Sequence, residues 1–174
     1  MKSTSRYILR GAAFAACSAL GLLSVGAQAG SATTTMQVQI TLVASCAVSA
    51  TTLNFGSGVG LLTSAVTGST TLGVTCSNTT PYNVELDAGT VSGSTVASRL
   101  MAGTATGNTG TTIGFQLYSN AGLTTVWGNT VGTNTVTGTG TGTVQNLTVY
   151  GQVPAQTTPK PDTYQTTINV TVAY

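Results

Sequence analysis

From residue 36 onward, apolar side chains recur at every second position. Met36, Val38, Ile40 and Leu42 share one parity, and Gln37, Gln39 and Thr41 the other. This is the period of a strand with one apolar face. The same parity runs on through Ala44, Cys46 and Val48, which turns Cys46 toward the core. Leu72, Val74 and Cys76 alternate with Thr71, Gly73 and Thr75, and Tyr82, Val84 and Leu86 with Asn83, Glu85 and Asp87. Ile113, Phe115 and Leu117 form a further row, and Leu147 and Val149 begin another that ends near Val153-Pro154. The clearest row is Tyr164, Thr166, Ile168, Val170, Val172 and Tyr174. No amphipathic helix is predicted after Ala29. Short strands separated by turns predict an all-β, Greek-key sandwich of immunoglobulin type.

The intervals between these rows are rich in turn residues. Asn54-Phe55-Gly56, Gly58-Val59-Gly60, Ser77 to Pro81, and Ser119 to Gly122 read as turns. Residues 90–112, mostly Ser, Thr, Gly and Ala, read as a long loop interrupted by Arg99-Leu100-Met101, and the Gly/Thr alternation at 137–143 as a loop or thin edge. The row that ends at Tyr174 has no successor, and the Met36–Leu42 row is a long, flat, apolar-faced strand. Such a strand is an aggregation hazard that proteins normally cover. It pairs either within its own sandwich or with another chain, and the pattern leaves both open.

Residues 1–29 read as a cleaved secretory leader. Lys2, Arg6 and Arg10 are positive, residues 11–26 are apolar or small, and Ala27-Gln28-Ala29 is a small-x-small cleavage site, with the cut placed after Ala29. The apolar run is shorter than the roughly 20 residues that span a bilayer, and the mature chain is expected not to span one. Export leaves Cys46 and Cys76, an even pair in an oxidising compartment, which reads as one disulfide. Arg99 and Lys160 then stand against Glu85, Asp87 and Asp162, two positive charges against three negative, for a net −1. Nucleic-acid binding has no electrostatic footing on such a chain.

Against that background a set of short motifs stands out in order: Val43-Ala44-Ser45-Cys46, Leu53-Asn54-Phe55-Gly56, Val74-Thr75-Cys76, Leu86-Asp87-Ala88-Gly89, Arg99-Leu100-Met101, Gln116-Leu117-Tyr118, Thr125-Val126-Trp127-Gly128, Leu147-Thr148-Val149-Tyr150-Gly151 and Pro154, followed by Tyr164 to Tyr174. With this order and spacing the chain resembles the spore coat protein U domain family, which includes subunits of archaic (Csu-type) chaperone–usher pili. The resemblance implies an incomplete immunoglobulin-like sandwich lacking its last strand and completed by donor-strand exchange, a form of strand addition. It implies neighbouring pilus subunits, a periplasmic chaperone and an outer-membrane usher as partners, with surface adhesion and biofilm formation as the role. On this reading residues 30–43 are a donor extension with Met36, Val38, Ile40 and Leu42 as plugs. Residues 44–174 are the pilin domain, with Ile168, Val170, Val172 and Tyr174 lining the acceptor groove. One domain suits a shaft or adaptor subunit. The alternative is a self-contained secreted or surface sandwich that binds carbohydrate or forms a coat; for glycan binding the tyrosines look scattered along the chain.

Catalytic chemistry finds no footing. The chain has no His, so Ser-His and Cys-His pairs and His-based metal sites are excluded. No cofactor or metal is expected. Glu85 and Asp87 on one strand face read as solvated carboxylates. Arg99 is expected to pair with Asp87 or Glu85 and hold the long loop down, Asp162 to cap a turn, and Trp127 to pack partly buried. Gly56-x-Gly58-x-Gly60 lacks the lysine and the helix of a phosphate site.

Overall fold

A computed structural model describes residues 28–174. The predicted leader lies outside the described residues apart from its last two, Gln28 and Ala29, which are exposed. The chain divides into two units, one ending at Ile40 and one covering Thr41–Tyr174. The described part of the first, residues 28–40, carries no strand.

The second unit is built from nine strands: β1 (Cys46–Ala50), β2 (Val66–Cys76), β3 (Pro81–Leu86), β4 (Arg99–Gly103), β5 (Thr112–Tyr118), β6 (Val136–Thr139), β7 (Gln145–Val153), β8 (Tyr164–Gln165) and β9 (Val170–Ala173). They form a six-stranded sheet, β1-β2-β7-β5-β4-β8, and a three-stranded sheet, β6-β3-β9, with every pairing antiparallel. The core lies between the sheets: Leu72, Val74 and Cys76 from β2, Ile113, Phe115 and Leu117 from β5, and Val149 and Val153 from β7 meet Tyr82, Val84 and Leu86 from β3. These are the period-two rows of the sequence, each turned inward because its opposite parity is polar. The fold is thus the expected immunoglobulin-like sandwich. In that fold one sheet holds strands A, B, E and D, and the other holds C, F and G. Here β1, β2, β7 and β5 take the first four places, and β3 and β9 take C and F. The place beside β9 has no occupant among the described residues.

Cys46 and Cys76 face each other across β1 and β2 and are joined by a disulfide, with Cα atoms 4.1 Å apart. A bridge closing a loop of this length stabilises the fold by about 3–4 kcal/mol in the chain-entropy model.

Three expectations need correction. The Met36–Leu42 row is not part of any ladder, and β1 begins only at Cys46. Alternation marks a face, but a strand also needs a partner for its backbone groups, and none pairs with these residues among those described. The long loop at 90–112 contains a strand, β4, whose Arg99 pairs with Phe115; the alternation does not reveal it because its buried residues are an arginine and a glycine, Arg99 and Gly103. The row from Tyr164 to Tyr174 is not one strand. β8 pairs with β4 in the six-stranded sheet, β9 pairs with β3 in the other, and residues 166–169 cross between them. By contrast, the Gly/Thr run does supply a thin edge, β6.

Candidate functional site

Where the place beside β9 stands open, the sandwich has a groove of about 1140 Å³. One wall is the stretch from Ala50 to Leu62, and the other runs from Thr158 to Val170. Its floor is core: Leu72, Leu86, Ile113, Phe115, Leu117, Val149 and Val153 all reach it. The groove therefore exposes the apolar interior along a line that a further strand of the three-stranded sheet would cover.

The first wall is held by a packing contact invisible in the pattern. Gly68 and Gly151 are direct partners on β2 and β7. A Cβ at Gly151 would lie 2.6 Å from Leu53 Cδ2 and 2.8 Å from Phe55 Cζ, and one at Gly68 would lie 2.9 Å from the Asn54 carbonyl. The two glycines make a flat seat for Leu53-Asn54-Phe55, and Phe55 then meets Phe115 edge-on, with ring centroids 6.2 Å apart. Further along, Leu62 is buried and its backbone N–H donates to Thr158 Oγ1 at 2.9 Å, which ties the two walls together at one end.

The second wall is held by Asp87. Its Oδ1 accepts from the N–H groups of Gly89 at 2.9 Å and Asn169 at 3.0 Å, and its Oδ2 accepts from Asn169 Nδ2 at 2.6 Å. The crossover at 166–169 is thereby fastened to the end of β3. Gly89 has φ +90°, and a Cβ there would lie 2.8 Å from Thr166 Oγ1. A side chain at this position meets both backbone strain and the crossover itself.

Arg99 supports the site from within. It is fully buried (0% exposed), and all five of its N–H donors have acceptors. Nε donates to the Asp87 carbonyl (2.8 Å), Nη1 to the Val96 carbonyl (3.4 Å) and Gln116 Oε1 (2.5 Å), and Nη2 to the carbonyls of Leu86 (3.0 Å) and Trp127 (2.7 Å). The expected pairing with the carboxylate of Asp87 or Glu85 is replaced by one with main-chain carbonyls and the Gln116 amide oxygen, while Asp87 spends its carboxylate on Asn169 and Gly89. Burial lowers the Arg99 pKa to about 10, against the opposing pull of nearby Asp87, so the group stays a cation at neutral pH. Trp127 is also fully buried (1% exposed), beyond the partial burial expected, and donates its Nε1–H to the Val84 carbonyl at 2.9 Å.

At the rim, Asp162 does more than cap its own turn. It accepts from the Thr163 N–H at 2.7 Å, and also from Asn108 Nδ2 at 2.7 Å, the Ala105 N–H at 3.0 Å and Thr104 Oγ1 at 3.2 Å. These donors, led by Asn108, hold its pKa down at about 2.

Of the four residues expected to line an acceptor groove, Ile168 and Val170 lie on the wall of the groove beside β9. Val172 packs against the core, and Tyr174 is exposed. The floor residues and the Leu53–Phe55 wall were not anticipated as groove. Their alternation marked them as apolar, but not that this part of the interior is open. The proposed plugs Met36, Val38, Ile40 and Leu42 are 82%, 83%, 82% and 84% exposed. The groove offers an apolar bed beside a backbone edge that no strand pairs among the described residues, which is chemistry for receiving a strand. Among the described residues no cluster of His, Cys, Asp and Glu could hold a metal ion, and no helix is long and apolar enough to cross a membrane.

Comparison with known proteins agrees with this architecture. The chain is similar in fold to a chain of the CsuC–CsuE chaperone–tip adhesion subunit pre-assembly complex from the archaic chaperone–usher Csu pili of Acinetobacter baumannii, with a TM-score of 0.55 and 24% identity. The similarity covers 77% of this chain but only 40% of that one. Among curated proteins none matches significantly. The model of the Spore Coat Protein U domain matches residues 32–171, and the chain belongs to that family.

Proposed function

We propose that the chain is a shaft or adaptor subunit of a chaperone–usher pilus, polymerised by donor-strand exchange. The observation that carries this reading is the open groove beside β9, whose floor is the core of the sandwich. A row of four apolar side chains, Met36, Val38, Ile40 and Leu42, meanwhile stands in solvent. One supplies what the other lacks. Residues 30–43 of one copy form the donor and residues 44–174 of the next form the acceptor, and each plug that becomes fully buried contributes about 1.5–3 kcal/mol. The new strand pairs with the free edge of β9. Before assembly a periplasmic chaperone covers the groove, and an outer-membrane usher exchanges it for the donor. The route is export through the periplasm with cleavage after Ala29, and the destination is a surface fibre serving adhesion and biofilm formation.

The test adds a synthetic peptide of residues 31–44 to a domain beginning at Ala44. The domain is expected to be unstable or to self-associate alone, and to become monomeric with a sharply raised Tm when the peptide binds. A domain fully stable without peptide, and indifferent to it, speaks for the self-contained sandwich instead.

A further inference from the structure

The outer face of the six-stranded sheet, away from the groove, carries a neutral cluster that the assembly mechanism does not use. Strand register creates it. Tyr150 on β7 is the direct partner of both Ser69 on β2 and Tyr118 on β5, and Gln152 is the direct partner of both Thr67 and Gln116. Direct partners share a face, so two short rows, Ser69-Tyr150-Tyr118 and Thr67-Gln152-Gln116, lie side by side. They are separated by about 7 Å along the strands, and their members by about 5 Å across them. The two tyrosines that look scattered in the sequence are thus neighbours. Beside them, along β5, is a hollow of about 320 Å³ whose lining includes Arg99, Gln116, Tyr118, Val126, Gln152 and Pro154.

The hydrogen-bonding state of these groups matters. Among the described residues, neither tyrosine hydroxyl nor the Gln152 amide has a protein partner, whereas the Gln116 amide is consumed by Arg99, Val96 and Leu117. The free groups therefore combine aromatic faces, hydroxyls and one amide able to donate and accept at once. Charge is absent. Arg99 borders the hollow but is buried with every N–H occupied, and the carboxylate of Asp87 is turned to the crossover.

We infer that this face binds a neutral glycan, the pyranose C–H faces stacking on Tyr118 and Tyr150 while Gln152 and the two hydroxyls bond the ring hydroxyls. The size of the hollow, at the lower end of the roughly 300–1,000 Å³ typical of ligand sites, suits one sugar unit, and the open sheet face lets the polymer continue. An anionic polysaccharide finds no free cation there.

The experiment is saturation-transfer difference NMR with calorimetry on the intact chain in its purified assembled state. Cellohexaose, maltohexaose and a mannohexaose serve as neutral probes, and polygalacturonate as the anionic one. Saturable binding of at least one neutral probe is expected, weakened about 10-fold by Tyr118→Ala or Tyr150→Ala and much less by Tyr150→Phe, which keeps the ring. Circular dichroism and retention of the disulfide verify that each variant is folded, and because both tyrosines lie outside the core, folding should be unaffected. Failure of every neutral probe to bind, equal binding by the Tyr118→Ala, Tyr150→Ala double variant, or tighter binding of polygalacturonate overturns the inference.

Discussion

The guanidinium of Arg99 donates to the main-chain carbonyl of Trp127 at 2.7 Å, from a position with no solvent exposure at all. Through the same group β4 is joined to the end of β3 and to the segment after β5. Removing it leaves several buried carbonyls without a donor, each costing about 1–3 kcal/mol. With at least three such carbonyls stranded, Arg99→Ala should destabilise the domain by at least about 3 kcal/mol, read as a fall in the denaturant midpoint. Arg99→Lys should rescue little of this, because three donors on a flexible stem cannot meet five acceptors in a plane.

The Asp87–Asn169 contact fastens the crossover that takes the chain from β8 to β9. Asp87→Ala should cost about 1.5–3 kcal/mol, the range for a bond to a charged group. Hydrogen exchange should accelerate first at residues 166–169 and at β9, and only later in β2 or β7. Gly89→Ala is expected to show the same regional signature, since its Cβ would press on Thr166 and Ile168. Uniform acceleration across both sheets would place the clasp's role elsewhere.

The carboxylate of Asp162, held down at about pH 2, gives the rim an acid dependence. Its folded pKa lies below the unfolded value of about 3.9. Its contribution is therefore complete above pH 4 and is lost as pH falls toward 2. Exchange protection at Ala105 and Thr163 should decline across that window, and Asp162→Asn should flatten the decline.

The disulfide ties β1 to β2 across 30 residues of sequence. Reduction should lower stability by about 3–4 kcal/mol, seen as a lower Tm in dithiothreitol, with Cys46→Ser and Cys76→Ser in combination reproducing the effect.

How much of this was legible in the sequence follows from what period-two alternation encodes. It identifies inward faces, so the core of β2, β3, β5 and β7 and the inward pair Cys46–Cys76 could be read directly. It does not encode which strands are neighbours, so the pairing of Tyr118 with Tyr150 and of Gly68 with Gly151 stayed hidden. Nor does it mark a change of sheet. The row from Tyr164 to Tyr174 keeps its parity through the crossover, because the Asp87 clasp redirects the backbone without disturbing the alternation. Arg99 was missed as a core residue because an arginine is inward only when carbonyls from three segments converge on it, and that convergence is tertiary.

The most direct consequence of the proposed assembly concerns Ile40, which stands 82% exposed and so is held by little packing. Ile40→Asp should leave the folding of residues 41–174 unchanged. In the assembled fibre the same side chain would lie against the groove floor, where a carboxylate cannot be buried without a partner. The variant should therefore be exported and disulfide-bonded as usual, yet fail to form detergent-resistant oligomers on unheated gels. Gln39→Asp, one position away on the opposite parity, is the control. It points out of the groove, and its oligomers should persist. Equal loss in both variants would mean that the segment acts through its charge or its solubility, and equal persistence that it is not the donor. Only the alternating result, loss at residue 40 and survival at residue 39, is the signature of a strand seated by one face.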